Sequence, residues 1–273
     1  MHSVSPNPQN ALDARRVALS GHNITKSFAA HRGESFHALG PIDFAVREGE
    51  FVSIIGASGC GKSTLMLITA GLIPASSGRI EANGETLTQP LTDIGIVFQD
   101  HLLLEFRTAF GNVMLQQKMR HLDRHEQEGR AHALFEKLGL SGSETRYPTQ
   151  LSGGMRQRVS IARALVHDPS ILMMDEPFGA LDAITRTQIR HDLEMLWMET
   201  KKMVLFITHS IEEAIGLSDR VLVMSKSPGR FVEEIKIDLP RPRPAHLGEY
   251  PEFSAYANRI YKIFQQIGVY HFR

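Results

Sequence analysis

The stretch Gly56-Ala57-Ser58-Gly59-Cys60-Gly61-Lys62-Ser63-Thr64 sets an amine and two hydroxyls behind three glycines. Gly56, Gly61, Lys62 and Ser63 occupy the fixed positions of G-x-x-x-x-G-K-[ST], a phosphate-binding loop. The glycines let the backbone fold tightly round an anion and turn successive N–H groups inward. A helix starting at the loop adds the positive end of its dipole. Lys62 reaches the β- and γ-phosphates, and the Ser63 hydroxyl is a ligand for Mg²⁺. The loop specifies a nucleotide; what happens to that nucleotide depends on residues elsewhere in the chain.

Ile171-Leu172-Met173-Met174-Asp175-Glu176 is an apolar run ending in two acids. Burying adjacent carboxylates is costly unless a cation or hydrogen bonds compensate. With a phosphate loop upstream, the simplest account is Mg²⁺ at Asp175 and a water-activating base at Glu176. Ile94 to Phe98 is a second apolar run and ends on Gln99; Met203 to Thr208 is a third and ends at His209. Polar residues at the carboxyl ends of buried strands are where ligands sit in a parallel α/β sheet. The convergence of Gln99, Asp175, Glu176 and His209 is a stronger signal than any one of them. Ser152-Gly153-Gly154 precedes a helical pattern and reads as a second anion-binding terminus or as a plain helix cap. Phe28 is either a core residue or a ring for adenine to stack on. His121, His125 and His132 lack compact metal-ligand spacing and read as a solvated face. Cys60 reads as a small packing residue inside the loop.

The elements that must position these groups are an alternation of strands and helices. Phe51 to Ile55 is a strand leading into the loop, and Leu65 to Ile68 continues as a helix without a breaker. Val17 to Phe28 and Phe36 to Val46 read as a small β-layer ahead of it, and Arg79 to Ala82 as a short strand. From Leu102 to about Arg163 the pattern turns helical, with a solvated amphipathic helix over Arg120 to Leu138. Val221 to Met224 and Val232 to Leu239 are further strands. Pro240-Arg241-Pro242-Arg243-Pro244 reads as a stiff linker. Phe253, Tyr256, Ile260, Ile263, Phe264 and Ile267 then fall at helical spacing, a C-terminal amphipathic helix packing on its own domain.

Composition limits the partners. Of 273 residues, 42% are hydrophobic and 22% charged, with Lys plus Arg 30 and Asp plus Glu 30. A balanced charge disfavours nucleic acid as a partner. One cysteine allows no internal disulfide and fits a reducing compartment. No run of about 18 apolar residues exists to span a bilayer. Residues 1–16 lack an apolar signal core and read as a disordered segment. These features place the nucleotide site in the cytoplasm.

With GASGCGKST, LSGGMRQR (Leu151 to Arg158), ILMMDEP and the strand ending at His209 in this order, the chain resembles the ATP-binding subunit of an ABC transporter over roughly Val17 to Leu239. The resemblance implies an α/β fold: a P-loop NTPase (RecA-like) core, an N-terminal antiparallel β-layer and an inserted α-helical subdomain at about 102–165. It implies an ATPase domain over 17–239 and a linker plus C-terminal helix over 240–273. Gly56 to Thr64 then form the Walker A loop, Phe28 the adenine-stacking ring, and Gln99 the Q-loop glutamine beside nucleotide and metal. Ser152, Gly153 and Gly154 belong to the signature motif. Asp175 is the Walker B aspartate with Ser63 at Mg²⁺, Glu176 the catalytic glutamate, Asp182 the D-loop aspartate and His209 the switch histidine. Lys62 stands with Glu176 and His209 in the catalytic set.

In that family two subunits pack head to tail and sandwich ATP between the Walker loop of one and the signature motif of the other. The resemblance therefore implies a homodimer on integral-membrane permease subunits, fed indirectly by a solute-binding protein, at the cytoplasmic membrane face. MDEPFGALDAITR (Met174 to Arg186), SPGRFVEEIKIDLPRPR (Ser227 to Arg243) and PEFSAY are similar to the nitrate, sulfonate and taurine importer type. Leu103-Leu104-Glu105-Phe106-Arg107 departs from the Leu-Pro-Trp common in that group after the Q-loop. The alternative reading is a non-transport ABC protein acting on DNA or ribosomes. Such proteins usually carry a second ATPase half, long coiled coils, zinc cysteines or basic arms, which this chain lacks.

Overall fold

The structure is a computed structural model that describes residues 15–29 and 35–269. Of the segment expected to be disordered, residues 1–14 lie outside the described residues. Arg15 and Arg16 are anchored, contrary to that expectation. Arg15 donates to the carbonyls of Glu48 and Gly49, and Arg16 to that of Asn83.

Strand β1 (Val17–Ala29) pairs antiparallel with β2 (Ser35–Arg47), from Val17 opposite Arg47 to Ala29 opposite Ser35 with register shifts between Val17 and Ser27. The turn at Glu48-Gly49 leads to β3 (Phe51–Gly56), whose every residue is buried. A strand covered on both faces cannot alternate in polarity, and FVSIIG does not. Helix α1 (Lys62–Thr69) follows the glycine loop. Strands β4 (Ser77–Ala82) and β5 (Glu85–Thr86) join the first pair as a sheet ordered β2-β1-β4-β5. Gly78 is what lets β4 lie against β1 at the register shift between His22 and Thr25. Its φ is +86°, and a Cβ there would stand 2.4 Å from the carbonyl oxygens of His22 and Asn23.

Strand β6 (Ile94–Val97) is followed by an ordered loop rather than by helix. Helix was expected from Leu102, but Leu102 has φ +48° and the chain stays irregular until Thr108. Buried Asn112 staples that loop. Its Oδ1 accepts from the Leu104 N–H at 2.8 Å, and its Nδ2 donates to the carbonyls of Leu104, Arg107 and Thr108 at 3.0–3.1 Å. One side chain satisfying four backbone groups stabilises an irregular path that periodicity cannot reveal. Three short helices follow: α2 (Ala109–Val113), α3 (Leu115–Arg120) and α4 (Arg124–Lys137). Thr108 caps α2 and Asp123 caps α4, each accepting from the N–H three residues on. Helix α5 (Gly153–Leu165) closes this unit against α2 and α4.

The rest alternates: β7 (Ile171–Asp175), α6 (Ala183–Thr200), β8 (Met203–Thr208), α7 (Ile211–Leu217), β9 (Arg220–Met224), β10 (Phe231–Lys236) and α8 (Pro251–Gln266). The large sheet runs β10-β9-β3-β8-β7-β6; β9, β3, β8, β7 and β6 are parallel and β10 is antiparallel to β9. Parallel strands put all their carboxyl ends on one edge. The segments after β3, β6, β7 and β8 therefore emerge together, which is where the chemistry-bearing residues lie.

Three apolar clusters hold the layers. One joins β7 and β8 to α5, α6 and the small helices, with Phe51, Phe178 and Phe206 at its centre. A second fills the space between the two sheets and α1. The third, with Ile260 fully buried, docks α8 on β9, β10 and α7, as the helical spacing predicts.

The segment Pro240 to Pro244 is not the expected linker. Arg243 is fully buried and donates to the carbonyls of Ile215 and Ser218 at the end of α7. Arg241 donates to Glu194 at 2.9 Å and Asp219 at 3.0 Å, and its guanidinium lies 4.3 Å from the centre of the Trp197 ring. Arg190 of α6 donates to the carbonyls of Pro244 and Ala245. The prolines keep the segment out of regular structure and leave its carbonyls free, and the arginines make it a strap across α6 and α7. Burial is the largest influence on the Arg243 guanidinium and lowers its pKa, as does neighbouring Arg241, with Glu194 opposing.

Glu194 has no exposed surface and accepts both from Arg241 and from the Arg243 backbone N–H. Truncating it takes one of two carboxylates from the partly buried Arg241 guanidinium, leaving Asp219, and strips the buried Arg243 N–H of its acceptor. Glu194→Ala should lower the unfolding free energy in urea by about 3–5 kcal/mol. Arg259→Ala, which breaks a surface pair with Glu233, should cost less than about 1 kcal/mol. Equal effects of the two substitutions would contradict the strap as a structural lock.

Candidate active site

The loop Ala57 to Gly61 leaves the carboxyl end of β3 and turns into α1 at Gly61, whose φ is +105°. A Cβ at Gly61 would stand 2.5 Å from Leu39 Cδ2 and 3.0 Å from the Ala38 carbonyl oxygen. The loop is therefore pressed against β2, and only glycine fits. No side chain caps α1, so its first N–H groups stay available to an anion in the loop. Buried Lys62 donates to the carbonyls of Gly56 and Ala57, each at 3.0 Å. Gly229, in the turn after β9, bonds to Ala38 and Gly40 of β2 and also packs on the loop: a Cβ there would stand 2.2 Å from the Cys60 carbonyl oxygen. The Cys60 side chain is buried, and burial raises the thiol's pKa, with Lys62 opposing. A protonated, enclosed thiol is a packing residue, as its place in the sequence suggests.

Asp175 ends β7 and is buried; its Oδ1 has no hydrogen-bond partner among the described residues. Burial pushes its carboxyl above the ordinary range; the Ser63 hydroxyl bonds to it and opposes that shift, Glu176 adds to it, and Lys62 opposes it. An orphaned buried carboxylate oxygen beside a serine hydroxyl is an oxygen-donor pair of the kind Mg²⁺ takes. The donor set fits that ion.

Glu176 follows at φ +42°, a conformation costing a non-glycine residue about 1–3 kcal/mol. The Glu176 N–H donates to the Ile207 carbonyl at 2.9 Å, and the Gly179 N–H donates to the Glu176 carbonyl at 3.1 Å. These bonds hold the turn and aim the carboxylate out of the sheet edge. Glu176 Oε1 lies 3.6 Å from Lys62 Nζ, and Oε2 lies 2.9 Å from His209 Nδ1. Residues from the loop and from the ends of β7 and β8 thus meet on one carboxylate.

Other expected site residues lie at varying removes. Gln99 is exposed just past β6, the strand beside β7. Asp182 caps α6, accepting from the Thr185 N–H at 3.0 Å, which holds its carboxyl below the ordinary range. Phe28 is too exposed to be core: 41% of its surface is open, and Lys26 Nζ lies 5.0 Å from its ring centre. Ser152 caps α5, accepting from the Met155 N–H at 3.2 Å. Gly154 packs on Thr185, where a Cβ would stand 2.5 Å from Cγ2. Among the described residues, Ser152, Gly153 and Gly154 share no hydrogen bond or ion pair with Gly56 to Thr64. As for the histidines, His132 stacks on Phe110 at 4.7 Å, and no His/Cys/Asp/Glu group among the described residues is arranged to hold a metal by itself.

Two contacts escaped the sequence. His101 Nδ1 and Gln157 Oε1 are 2.7 Å apart, tying the loop after β6 to α5. Buried Glu213, in the first turn of α7, accepts from the Thr208 hydroxyl. Thr208 Oγ1 in turn accepts from the Ser210 N–H at 2.9 Å, bracing the backbone on both sides of His209. A glutamate in a first helical turn reads as a dipole partner; nothing local marks it as buried.

Comparisons with known proteins give the family. The family described as "ABC transporter" matches residues 39–179. The chain is 49% identical over 214 residues to the taurine import ATP-binding protein TauB of Rhizobium johnstonii, covering 78% of this chain and 82% of that protein. It is 39% identical over 236 residues to the aliphatic sulfonates import ATP-binding protein SsuB of Bacillus cereus, covering 86% and 92%. Among solved structures, a dimeric post-hydrolysis state of an ATP-binding cassette bound to ADP and Pi superposes with a TM-score of 0.71 at 30% identity, covering 81% of this chain and all of that one.

Burial is the largest influence on Glu213 and raises its pKa above the ordinary glutamate range. A carboxyl raised in the folded state adds stability below its unfolded pKa and loses it as pH rises through the folded value. Glu213→Gln keeps an acceptor for Thr208 and removes the titration. Its unfolding free energy should exceed that of the parent at pH 7–8, and the difference should vanish below about pH 4. A pH-independent difference between the two would contradict the burial account.

Proposed function

The chain belongs to the ABC transporter family, and on that premise we propose that it is the ATP-hydrolysing subunit of an importer for a small solute of the sulfonate or taurine kind. ATP is the nucleotide, and its hydrolysis is the reaction. The observation that carries the residue assignment is the meeting of Lys62, Glu176 and His209 at 2.9–3.6 Å on the carboxyl edge of the sheet.

In this reading the loop amides and Lys62 hold the β- and γ-phosphates. Lys62 leaves its carbonyl partners Gly56 and Ala57 for the phosphate oxygens. Glu176 takes a proton from the attacking water as that water bonds to the γ-phosphorus. The bond to the β–γ bridging oxygen breaks, releasing ADP and inorganic phosphate. His209 orients Glu176 through the 2.9 Å contact, and the Thr208–Glu213 bond fixes the strand end that carries it. Ser63 and Asp175 would hold Mg²⁺, with Gln99 beside it. Bound there, the ion supplies charge neutralisation for the phosphates.

One site needs two chains. Ser152, Gly153 and Gly154 present a capped helix end away from their own loop, so the loop of one protomer and this helix end of its partner would enclose one ATP. The dimeric relative supports the pairing. Closure is then a population shift, since the nucleotide contacts both chains only when they meet. Cleavage of the γ-phosphate removes the bridge and reopens the pair, and the loop from Gln99 to Asn112 would pass the motion to permease subunits in the membrane. Exposed Leu102 and Phe106 on that loop offer apolar contact. No described helix is long and apolar enough to cross a membrane, so the solute path belongs to other chains. A solute-binding protein would deliver the solute to them. The import relatives and the balanced charge both favour this reading over action on nucleic acid.

Glu176→Gln should reduce phosphate release by about two orders of magnitude or more while leaving ATP binding intact. Unchanged turnover would remove Glu176 from the role of base. A second test addresses the shared site. Lys62→Ala and Ser152→Arg should each silence a homodimer, but mixing the two variants should restore hydrolysis in one of the two composite sites. A mixture no more active than its components would refute the two-chain site.

A further inference from the structure

The opposite edge of the large sheet holds a cavity of about 470 Å³, within the range of small-ligand pockets. Glu50 precedes β3, Lys201 precedes β8, Asp219 precedes β9 and Lys236 ends β10, so the cavity sits where the parallel strands begin. The strand β3 runs from this edge to Gly56 at the phosphate loop. At about 3.3 Å per residue the two sites are roughly 17 Å apart.

The lining is unusual in two respects. From outside the lining Glu234 pairs with Arg220 and Glu194 with Arg241; within it six cationic side chains face three carboxylates. Two of those carboxylates are engaged already: Glu50 by Arg220 and Asp219 by Arg241. Asp238 lines the rim, exposed. Among the described residues, Arg15 and Lys201 have no carboxylate partner; Arg15 is held by the carbonyls of Glu48 and Gly49. The second feature is the floor. Ile237 and Leu239 are buried, and Trp197 lies between two cations, with Lys201 Nζ 4.1 Å and the Arg241 guanidinium 4.3 Å from its ring. Positive charge is crowded here. Burial and then Arg241 lower the Lys201 pKa, Arg15 adds to that, and Asp219 and Glu194 offset it in part.

We propose that this cavity is a binding site for a small organic anion, with Arg15 and Lys201 meeting its charge and Trp197, Ile237 and Leu239 its apolar body. An anion relieves the repulsion among cations that the fold has packed together, and an organic one also covers the apolar floor. Inorganic anions would gain only the first. The site is separate from the nucleotide site. Its wall is the strap that grips the end of α7, the helix directly after His209.

Trp197 is the protein's single tryptophan, so its emission reports on this cavity alone. The probe is benzenesulfonate, titrated into the full chain with excitation at 295 nm, and benzyl alcohol is the uncharged control. Benzenesulfonate should produce a saturable change in emission, unaffected by saturating Mg-ATP, and benzyl alcohol at equal concentration less than a tenth of it. Lys201→Asn suits the left-handed backbone at φ +47°. It and Arg15→Gln should each weaken the response about tenfold, as expected for losing one charge-assisted contact. Unaltered ATP binding and thermal unfolding would show both variants to be folded. A response that does not saturate, that benzyl alcohol reproduces, that Mg-ATP displaces competitively, or that both variants retain at full strength would overturn the proposal.

Discussion

The constraint on which the molecule depends is the desolvation of charge at one edge of a buried sheet. Lys62 is 4% exposed and Asp175 7%, and an isolated ion at such depth is unstable by several kcal/mol. The structure offsets this cost with short-range partners: two loop carbonyls and Glu176 for Lys62, the Ser63 hydroxyl for Asp175. The compensation is deliberately incomplete at Asp175, where one oxygen has no partner. In the proposed function a divalent cation and a polyphosphate would supply the missing charges. A ligand that binds these buried groups in the folded state alone would also stabilise the fold.

The groups gather because of topology. Parallel strands share a polarity, so the loop after β3 and the turns after β7 and β8 come together without any of them being close in sequence. The apolar runs FVSII, ILMM and MVLFI are legible as buried strands because a sheet covered on both faces leaves no room for alternation. ILMM is followed at once by Asp175 and Glu176, MVLFI by Thr208 and His209, and FVSII by the glycine loop that leads to Lys62. The core of the site was therefore readable as a list of strand ends. What could not be read was which strand ends neighbour each other. That order, with β3 between β9 and β8, is decided by helix packing on both faces.

The failures of sequence reading have a common cause. Asn112, Glu213 and Arg243 are polar residues that act from buried positions: Asn112 and Arg243 on backbone groups, Glu213 on the Thr208 hydroxyl. No hydrophobic periodicity encodes such a bond. Pro240 to Pro244 is the clearest case. Proline and arginine together suggest a solvated spacer, yet the prolines hold their own and neighbouring carbonyls free of regular structure, and Arg190, Arg241 and Arg243 thread that path into α6 and α7. Leu102 to Thr108 is similar. Its composition suits a helix, but the four bonds made by Asn112 outweigh helix propensity, which is worth only tenths of a kcal/mol per residue.

The same reasoning explains why the signature residues stand apart from the phosphate loop in one chain. Gly154 is pressed on Thr185, and α5 is packed against α2, α4 and α6, so Ser152 cannot swing to its own loop without dismantling a core. The distance is fixed by packing that costs far more than one nucleotide contact returns. In the proposed pairing a second copy would bring its helix end to the open side of the loop. Rigidity within the protomer would then be what makes the nucleotide act between protomers. A flexible α5 would let each chain close on its own ATP, and binding would then do no work on anything outside it.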